Sequence, residues 1–291
     1  MKPVTIDDFK KLYVPSRSSH KGQNGRLLII GGSHLFHAAS LWALTVASRI
    51  VDLVHYCSVP ENNEIVQKAK EEFRNGIVVR REDVEDYIKE DDCILIGPGM
   101  ERSENSKLKT QNSKLQVKTQ NLKDIISMED GGGQTEALTN YLLAKYPKKQ
   151  WVIDAGALQM MDVSLIPKNA ILTPHHGEYT MVFGTEKIED IAKNYNCIVL
   201  LKGERDIACD GAGNCRTIEG GNAGMTKGGT GDVLAGLIAA LACKNDPFLA
   251  SIAGSFINKK AGDELYKKVG PYFNATDLAG EIPKTMKGLL I

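Results

Sequence analysis

The sequence predicts an α/β fold in which a central, mostly parallel sheet is flanked by helices on both faces. Short, continuously apolar runs that end in glycine turns recur along the chain, beginning with residues 26–30 and the turn Gly31-Gly32-Ser33. Such runs are typical of strands that are buried on both faces of a parallel sheet. Segments with apolar residues at helical spacing alternate with these runs, as in proteins whose helices cover a parallel sheet.

The first third of the chain alternates predicted strands and helices. Residues 1–25 are largely polar, and we expect them to form a lead-in arm. The predicted strands are 26–30, 51–59, 77–79 and 93–96, and the predicted helices are 38–50, 64–73 and 84–88. The last strand ends in Gly97-Pro98-Gly99, so the pattern repeats. Ligands of parallel sheets bind beside such turns because the turns lie at the carboxyl ends of the strands.

Residues 101–136 interrupt this alternation with a polar segment. It has too few apolar residues to join the core, so we expect a surface insertion in one domain that covers residues 1–291. Turn-forming residues at 210–214 predict a hairpin between 207–209 and 215–218. The other predicted elements are a helix at 135–145, strands that end near Asp154 and Thr173, a strand at 197–201, a helix that follows Asp232, and helices at 247–265 and 275–290.

Composition argues against several classes of protein. The 36 basic residues balance 36 acidic ones, so no net field attracts nucleic acid or a membrane. The longest apolar run, 233–243, is too short to span a bilayer, and we expect no secretory leader. The six cysteines include no Cys-x-x-Cys pair and most lie in apolar segments, so we expect reduced thiols and a cytoplasmic protein.

A glycine-rich segment at 222–232 is the most informative stretch of the chain. Apolar residues at helical spacing follow it, so the glycines end where a helix begins. The unpaired amides of a first helical turn bind anions such as phosphate. Asp232, at this helix start, is either a general base or a simple helix cap. The segment lacks the third glycine of the dinucleotide fingerprint, and no Gly-Lys-Ser/Thr occurs in the chain.

Two strand ends carry further candidate ligand-binding residues. Asp154 either binds a ligand or metal or caps the following helix, and the sequence leaves both alternatives open. His175 and Glu178 either contact a ligand or form the turn that opens the next helix. His175 and His176 are not spaced as in zinc proteases, so we predict no zinc and assign no metal ligand.

Six motifs occur in a fixed order along the chain. They are Gly31-Gly32-Ser33, Gly97-Pro98-Gly99, Asp154-Ala155, Leu172-Thr173-Pro174-His175-x-Gly177-Glu178, Leu201-Lys202-Gly203 and Gly229-Thr230-Gly231-Asp232-Val233-Leu234-Ala235-Gly236. In combination they resemble the ADP/ATP-dependent NAD(P)H-hydrate dehydratases, from about residue 20 to 285 without the polar insertion. This resemblance implies a ribokinase-like fold and the repair of NADH or NADPH that has taken up water at the nicotinamide ring.

The resemblance also implies a role for each matching residue. Asp232 would act as the base on the hydroxyl of the hydrate and contact the substrate. The anion hole for the transferable phosphate would consist of Gly229, Thr230 and Gly231. The adenine-nucleotide segment would be Lys202, Gly203, Glu204, Arg205 and Asp206, and the further substrate contacts would be Ala39, Gly99 and His175.

The implied reaction phosphorylates the hydroxyl of the S epimer of hydrated NADH or NADPH (NADHX or NADPHX) and then eliminates phosphate. ADP or ATP would be the co-substrate, giving AMP or ADP, with Mg²⁺ bridging the phosphates. The implied partners are other copies in a homo-oligomer, with a tetramer as the candidate, and a separate NAD(P)HX epimerase. From its length we expect the chain to lack the epimerase domain that some relatives carry, and we expect neither a nucleic-acid nor a membrane partner.

The chain departs from the family pattern at several positions. Ala38 stands where glycine is frequent, Gly156 where a second aspartate is common, His176 where proline is common, and 255–258 where a Leu-His-Gly-like sequence is usual. These departures affect fine contacts and any metal ligand near residue 156. Two alternatives remain: a ribokinase-like kinase for a vitamin precursor or sugar, and a non-catalytic nucleotide sensor. The combined motifs favour the dehydratase over the kinase, and the presence of Asp232 argues against the sensor.

Overall fold

The fold is built on one ten-stranded sheet. In this computed structural model, residues 1–69, 75–103 and 121–291 are described. The spatial order of the strands is β1-β10-β9-β8-β7-β6-β5-β2-β3-β4. Their bounds are β1 (Lys2–Pro3), β2 (Arg26–Ile30), β3 (Leu53–Cys57), β4 (Ile77–Val79), β5 (Cys93–Ile96), β6 (Gln150–Ile153), β7 (Ile171–Leu172), β8 (Ile198–Leu201), β9 (Asp206–Cys209) and β10 (Cys215–Ile218).

The strands from β4 through β8 in the spatial order all run parallel. β2 lies between β3 and β5, so that Ile30 is opposite both Cys57 and Ile96. β9 pairs antiparallel with both β8 and β10, which confirms the predicted hairpin. The mostly parallel sheet is therefore as predicted, and its shared carboxyl edge collects the turns that follow β2 to β8.

Helices cover both faces of the sheet. Their bounds are α1 (Ala38–Ala47), α2 (Pro60–Ala69), α3 (Val84–Glu90), α4 (Leu122–Ile126), α5 (Gly131–Lys145), α6 (Ala155–Met160), α7 (His176–Phe183), α8 (Ile188–Tyr195), α9 (Thr230–Ala242), α10 (Pro247–Val269) and α11 (Ala275–Leu290). Leu27 and Ile29 of β2 pack with α1 and α9 to α11, whereas Leu28 and Ile30 pack with α3 and α5 to α8. β2 thus contributes alternate residues to two cores, because successive strand side chains point to opposite faces.

Several element bounds differ from the prediction, and three of these differences have a clear physical reason. The predicted lead-in arm contains β1, which extends the sheet by pairing with β10. α2 begins at Pro60, in the predicted exit loop, because proline fits the first helical position. α5 begins at Gly131, not Thr135, because Asp130 caps it by accepting a hydrogen bond from the Gly133 amide.

The predicted polar insertion is only partly described. Its near-repeat at 105–120 lies outside the described residues. At its carboxyl end, Ile125 of α4 is buried in the same core as Leu138 of α5. Residues 121–136 therefore belong to the packed helical layer, in contrast to the expected surface excursion.

The cysteines do not all remain free thiols. Cys209 and Cys215 are directly opposite each other in the β9–β10 hairpin and form a disulfide. The thiols of Cys57, Cys93 and Cys197 are free and buried. The expectation of reduced thiols is therefore wrong for one pair, because the strand register brings together two residues that the sequence separates by a turn. Across the described ranges, no helix combines the length and hydropathy that a membrane crossing requires.

Candidate active site

An acid–base cluster lies at the carboxyl ends of β6, β7 and β8. The Asp154 carboxylate follows β6 and is 2% exposed. Its Oδ1 accepts hydrogen bonds from the Thr173 hydroxyl at 2.8 Å and from the Lys202 ammonium at 3.0 Å. Asp154 makes no side-chain capping bond to α6, so the cap interpretation left open by the sequence is wrong. Three neighbouring strands thus hold one carboxylate and one ammonium at the ligand-binding edge of the sheet.

The start of α9 faces this cluster. Gly229 is the N-cap residue and has a φ of 94°, a backbone conformation that disfavours L side chains. A Cβ at Gly229 would lie 2.3 Å from the Trp42 ring, so close packing also requires glycine here. The Thr230 hydroxyl donates to the Met225 carbonyl at 2.7 Å and fixes the turn before the helix. The unpaired amides of a first helical turn such as this one can bind an anion.

Asp232 lies on the first turn of α9 and has an unusual pKa. Burial, together with the nearby carboxylate of Asp154, raises the pKa of Asp232 from 3.8 to about 7, while Lys202 opposes this rise. Asp232 is the third residue of the helix and does not cap it, so the simple-cap alternative is wrong. A carboxyl with a pKa near neutrality accepts a proton efficiently at physiological pH, which is what a general base requires.

The pKa of the Lys202 ammonium is also raised. Burial alone would lower the pKa of its ammonium, but the carboxylates of Asp154, Glu178 and Asp232 outweigh burial and raise that pKa. Lys202 therefore stays positively charged next to the start of α9. It can attract the phosphates of a ligand without losing its proton.

A cavity of about 500 Å³ opens beside Lys202 and the start of α9. Its lining includes six residues of the predicted nucleotide set, namely Lys202, Gly203, Glu204, Asp206, Thr230 and Gly231. Arg205 lies in an adjoining depression, where its guanidinium pairs with Glu219 at 3.1 Å. Gly229 does not line the cavity and instead shapes the turn beside it. The structure therefore brings most of the predicted nucleotide residues together around one space.

Lys259 is a lining residue that the sequence reasoning missed. The side chain lies on α10, is 6% exposed, and donates to the carbonyls of Gly203, Glu204 and Gly220 at 3.0 to 3.2 Å. It also lies 3.2 Å from the Asp206 carboxylate. Lys259 thereby joins the loop after β8 to the loop after β10. The sequence signal that could have identified Lys259 is its position, because it lies at helical spacing with the inward-facing apolar residues of this helix.

The predicted substrate residues lie along the same edge of the sheet. A Cβ at Gly99 would lie 3.1 Å from the Ala39 side chain, so these two residues are neighbours. His175 caps α7, because its Nδ1 accepts hydrogen bonds from the amides of Gly177 and Glu178. His175 also forms a backbone bridge with Lys202, which places it next to the acid–base cluster. The turn interpretation of His175 and Glu178 is confirmed, and the His175 side chain remains 59% exposed.

Comparison with known proteins identifies similar chains. A family model described as NAD(P)H-hydrate dehydratase matches residues 27–284. The chain is 37% identical to the bifunctional NAD(P)H-hydrate repair enzyme Nnr of Methanocaldococcus jannaschii over 96% of its own length and 52% of that protein. It is 33% identical to the ADP-dependent (S)-NAD(P)H-hydrate dehydratase of Nitrosopumilus maritimus, over 95% of its own length and 94% of that protein. The chain thus spans about half the length of the bifunctional relatives it matches.

Solved structures show the same fold. A ribokinase-like protein of Enterococcus faecalis superposes with a TM-score of 0.78 and 20% identity, over 99% of this chain and 96% of that chain. The ADP/ATP-dependent NAD(P)H-hydrate dehydratase of Bacillus subtilis, co-crystallised with ATP/Mg²⁺, superposes with a TM-score of 0.72 and 22% identity, over 99% and 98%. At these identities the likeness demonstrates the ribokinase-like fold, which the sequence predicted.

Proposed function

The chain belongs to the NAD(P)H-hydrate dehydratase family, and on this basis we propose that it dehydrates the S epimer of NADHX or NADPHX with ADP or ATP as phosphate donor. The observation that carries the proposal is Asp232, whose pKa burial and Asp154 raise to about 7 at the start of an anion-binding helix. A base and a phosphate site at one helix start are what a hydroxyl phosphorylation needs.

In the first step, Asp232 takes the proton of the substrate hydroxyl. The freed oxygen attacks the terminal phosphorus of the nucleotide, and the bond to the bridging oxygen breaks, so that ADP leaves as AMP or ATP as ADP. Lys202 and the amides at the start of α9 hold the transferring phosphate. Phosphoryl transfer depends mainly on such positioning and charge neutralisation.

In the second step, the carbon–oxygen bond of the phosphorylated ring breaks. The phosphate leaves with the electron pair, and the neighbouring ring carbon loses a proton, which restores the double bond of NADH or NADPH. Phosphorylation therefore converts hydroxide, a poor leaving group, into phosphate, a good one. No residue of the described chain needs to form a covalent intermediate.

Magnesium fits this site by charge. Three carboxylates, Asp154, Glu178 and Asp232, lie close enough to the Lys202 ammonium to raise its pKa. One positive charge does not balance them, so an excess of negative charge remains beside the proposed phosphate site. Among the described residues, three potential ligands converge only at Glu189, Cys209 and Cys215, where a disulfide occupies both sulfurs. Mg²⁺ usually takes one or two carboxylates plus substrate phosphates, so Asp154 is the residue we assign to it. When bound, the ion would neutralise charge on the phosphates.

A kinase of the same fold remains the alternative function. It would use Asp232 in the same way on a sugar or vitamin precursor but would release the phosphorylated compound. Hydroxyethylthiazole kinase from Pyrococcus horikoshii shares the fold with a TM-score of 0.55. The family match over residues 27–284 supports the dehydratase instead.

The proposal also covers the source of the substrate, the assembly of the protein and its location. A separate epimerase would supply the S epimer, and the bifunctional names of several relatives support coupling to a second repair activity. Assembly into a homo-oligomer and a cytoplasmic location are part of this proposal.

The test is recovery of the absorbance of reduced nicotinamide. Purified protein, Mg²⁺ and chemically prepared NADHX are mixed with ADP or ATP in parallel, and Asp232→Asn is compared with Asp7→Asn, a change at an exposed surface carboxylate. We expect nucleotide-dependent recovery that Asp232→Asn abolishes and Asp7→Asn retains. No recovery by folded protein that still binds nucleotide would reject the dehydratase and favour the kinase.

A further inference from the structure

A second cavity lies at the same edge of the sheet as the candidate active site. Its volume is about 390 Å³. Gly32 follows β2, Pro60 follows β3, Arg81 follows β4 and Glu101 follows β5, and all four residues line it. Among the described residues, its lining shares no member with that of the nucleotide cavity. The carboxyl ends of these strands are where parallel sheets bind ligands.

This second cavity adjoins the proposed substrate contacts. A Cβ at Gly99 would lie 3.2 Å from the Gly32 backbone and 3.1 Å from the Ala39 side chain. Gly32 belongs to the lining, whereas Gly99 and Ala39 are assigned to the substrate. A substrate held at Gly99 is therefore already at the rim of the second cavity.

The spacing of the strands suits a long ligand. Asp154 follows β6, and β5, β2, β3 and β4 succeed β6 in the sheet, with Arg81 after β4. Four strand spacings, about 19 Å, therefore separate the acid–base cluster from the far side of the second cavity. A dinucleotide consists of two nucleosides joined by a diphosphate, so its two ends can occupy positions this far apart.

Arg81 gives the second cavity a buried donor. The residue is 6% exposed, and its Nε has no hydrogen-bond partner among the described residues. One terminal nitrogen donates to the side-chain oxygen of Gln134, which also lines the cavity. A buried guanidinium donor without a partner is costly unless a ligand or water accepts from it.

The described lining of the cavity carries a net negative charge. Its charged members among the described residues are three carboxylates, Glu61, Glu101 and Glu129, and one guanidinium, Arg81, which leaves an excess of two negative charges when His34 is neutral. The Glu101 side chain is only 19% exposed and lies 3.0 Å from the His34 ring, whereas Glu61 and Glu129 are exposed. Carboxylates accept hydrogen bonds from hydroxyls but repel an additional phosphate.

We propose that this second cavity holds the adenosine ribose of the hydrated dinucleotide and that its glutamates favour the 2′-hydroxyl of NADHX over the 2′-phosphate of NADPHX. This proposal rests on the proposed function. Glu101 accepts from a ribose hydroxyl, and the Nε of Arg81 donates to an uncharged ribose oxygen. A 2′-phosphate would meet three carboxylates and a guanidinium already bound to Gln134. The cavity thus sets the preference between two substrates that are identical at the reacting ring.

The experiment measures kcat/KM for NADHX and NADPHX, with saturating ADP or ATP and Mg²⁺, in the wild type, Glu101→Gln and Glu64→Gln. Glu64 is exposed on α2 and does not line the cavity, so it is the matched control. We expect the wild type to use NADHX at least about fivefold better, and Glu101→Gln to lose most of this preference by improving the use of NADPHX, as removal of one partly exposed charge permits. Glu64→Gln should keep the wild-type ratio.

Arg81→Lys provides a second readout. It retains the charge but removes the Nε donor, so KM for NADHX should rise about tenfold while kcat changes less than twofold. Thermal unfolding checks that the variant is folded.

The outcomes separate the two proposals. Equal use of NADHX and NADPHX, with a ratio that Glu101→Gln leaves unchanged, overturns the cavity assignment and leaves the repair function intact. A preference for NADPHX that Arg81→Lys removes would overturn it by showing that Arg81 binds the 2′-phosphate. Recovery of neither substrate by the wild type rejects both proposals.

Discussion

The ammonium of Lys202 lies 3.0 Å from the Asp154 carboxylate, and this ion pair stands beside Asp232 at the start of α9. The pair combines opposite effects on the proposed base. Asp154 raises the pKa of Asp232, whereas Lys202 lowers it. Burial adds to the effect of Asp154, so the net result is a carboxyl that titrates near neutrality. Four predictions follow from this cluster and from the loops around it.

The first prediction concerns the pH dependence of catalysis. Because the pKa of Asp232 is raised to about 7, the carboxylate form that accepts a proton increases as the pH rises through 7. We expect kcat/KM for the hydrate to rise with pH and to level off at or below pH 7, because Mg²⁺ at Asp154 would offset part of the rise in the pKa of Asp232. Fixed-time assays from pH 5.5 to 8.5, with nucleotide and Mg²⁺ saturating, measure this profile. A value of kcat/KM that does not rise at all between pH 5.5 and 7 would contradict the assignment of Asp232.

The second prediction concerns stability. The pKa of Asp232 is 3.8 in the unfolded chain and about 7 in the folded one, so the folded state favours the protonated form. Asp232 therefore lowers the free energy of unfolding progressively as the pH rises from about 3.8 to about 7. Asp232→Asn should therefore raise the free energy of unfolding above pH 7 by an amount on the order of 1–3 kcal/mol, or several degrees in Tm. The gain should vanish below about pH 4, where Asp232 is protonated in both states. Thermal unfolding at pH 8 and at the lowest pH that preserves the fold checks both parts.

The third prediction is that alanine substitution has different effects at the adjacent residues Gly228 and Gly229. Gly229→Ala introduces a Cβ 2.3 Å from the Trp42 ring at a residue with a φ of 94°, so we expect it to displace the start of α9. Its nucleotide Kd should rise at least about tenfold, and its free energy of unfolding should fall by about 2 kcal/mol or more. Gly228→Ala is the matched control, because nothing lies within 4 Å of its Cβ. Calorimetric titration with ADP compares the two variants, and equal affinities would contradict the packing argument.

The fourth prediction concerns Lys259. Lys259→Met removes the donor to three carbonyls and leaves the buried Asp206 carboxylate with only neutral donors, among them the Ser255 hydroxyl at 2.7 Å. We expect a loss of about 3 kcal/mol in stability and weaker nucleotide binding. The control is Lys260→Met, which changes the next residue on the same helix. Chemical denaturation measures the stability, and similar values for the two variants would show that Lys259 does not join the loops.

Local sequence patterns explain why much of the fold was predictable. Strands at 26–30, 77–79 and 93–96 and the helix at 275–290 have the predicted bounds, because short apolar runs and helical spacing are local signals. β1 was missed because a two-residue strand is defined only by its partner, β10. The Cys209–Cys215 disulfide also depends on strand register, which residue types alone did not reveal. The single-domain organisation of residues 1–291 stays a prediction.

The candidate active site also contains features that local sequence patterns predict and features that only the folded chain reveals. The position of the glycine-rich segment and of Asp232 at a helix start was predictable, because glycines followed by apolar residues at helical spacing are a local signal. The hydrogen bonds that Asp154 accepts from Thr173 and Lys202 were not predictable, because they join the ends of three strands that lie far apart in the chain. Lys259 was missed for the same reason, since it joins loops whose proximity only the folded chain creates. The functional roles of the individual site residues stay predictions.

The most direct test of the account is the stoichiometry of the reaction in the wild type and in Asp232→Asn. NADHX, Mg²⁺ and ADP are incubated with each protein, and NADH, AMP and inorganic phosphate are quantified from the same samples over time. We predict that the wild type forms the three products in equal amounts and that Asp232→Asn forms none of them while still binding ADP. NADH formation without AMP, or a stable phosphorylated product without NADH, would contradict nucleotide-driven dehydration at Asp232.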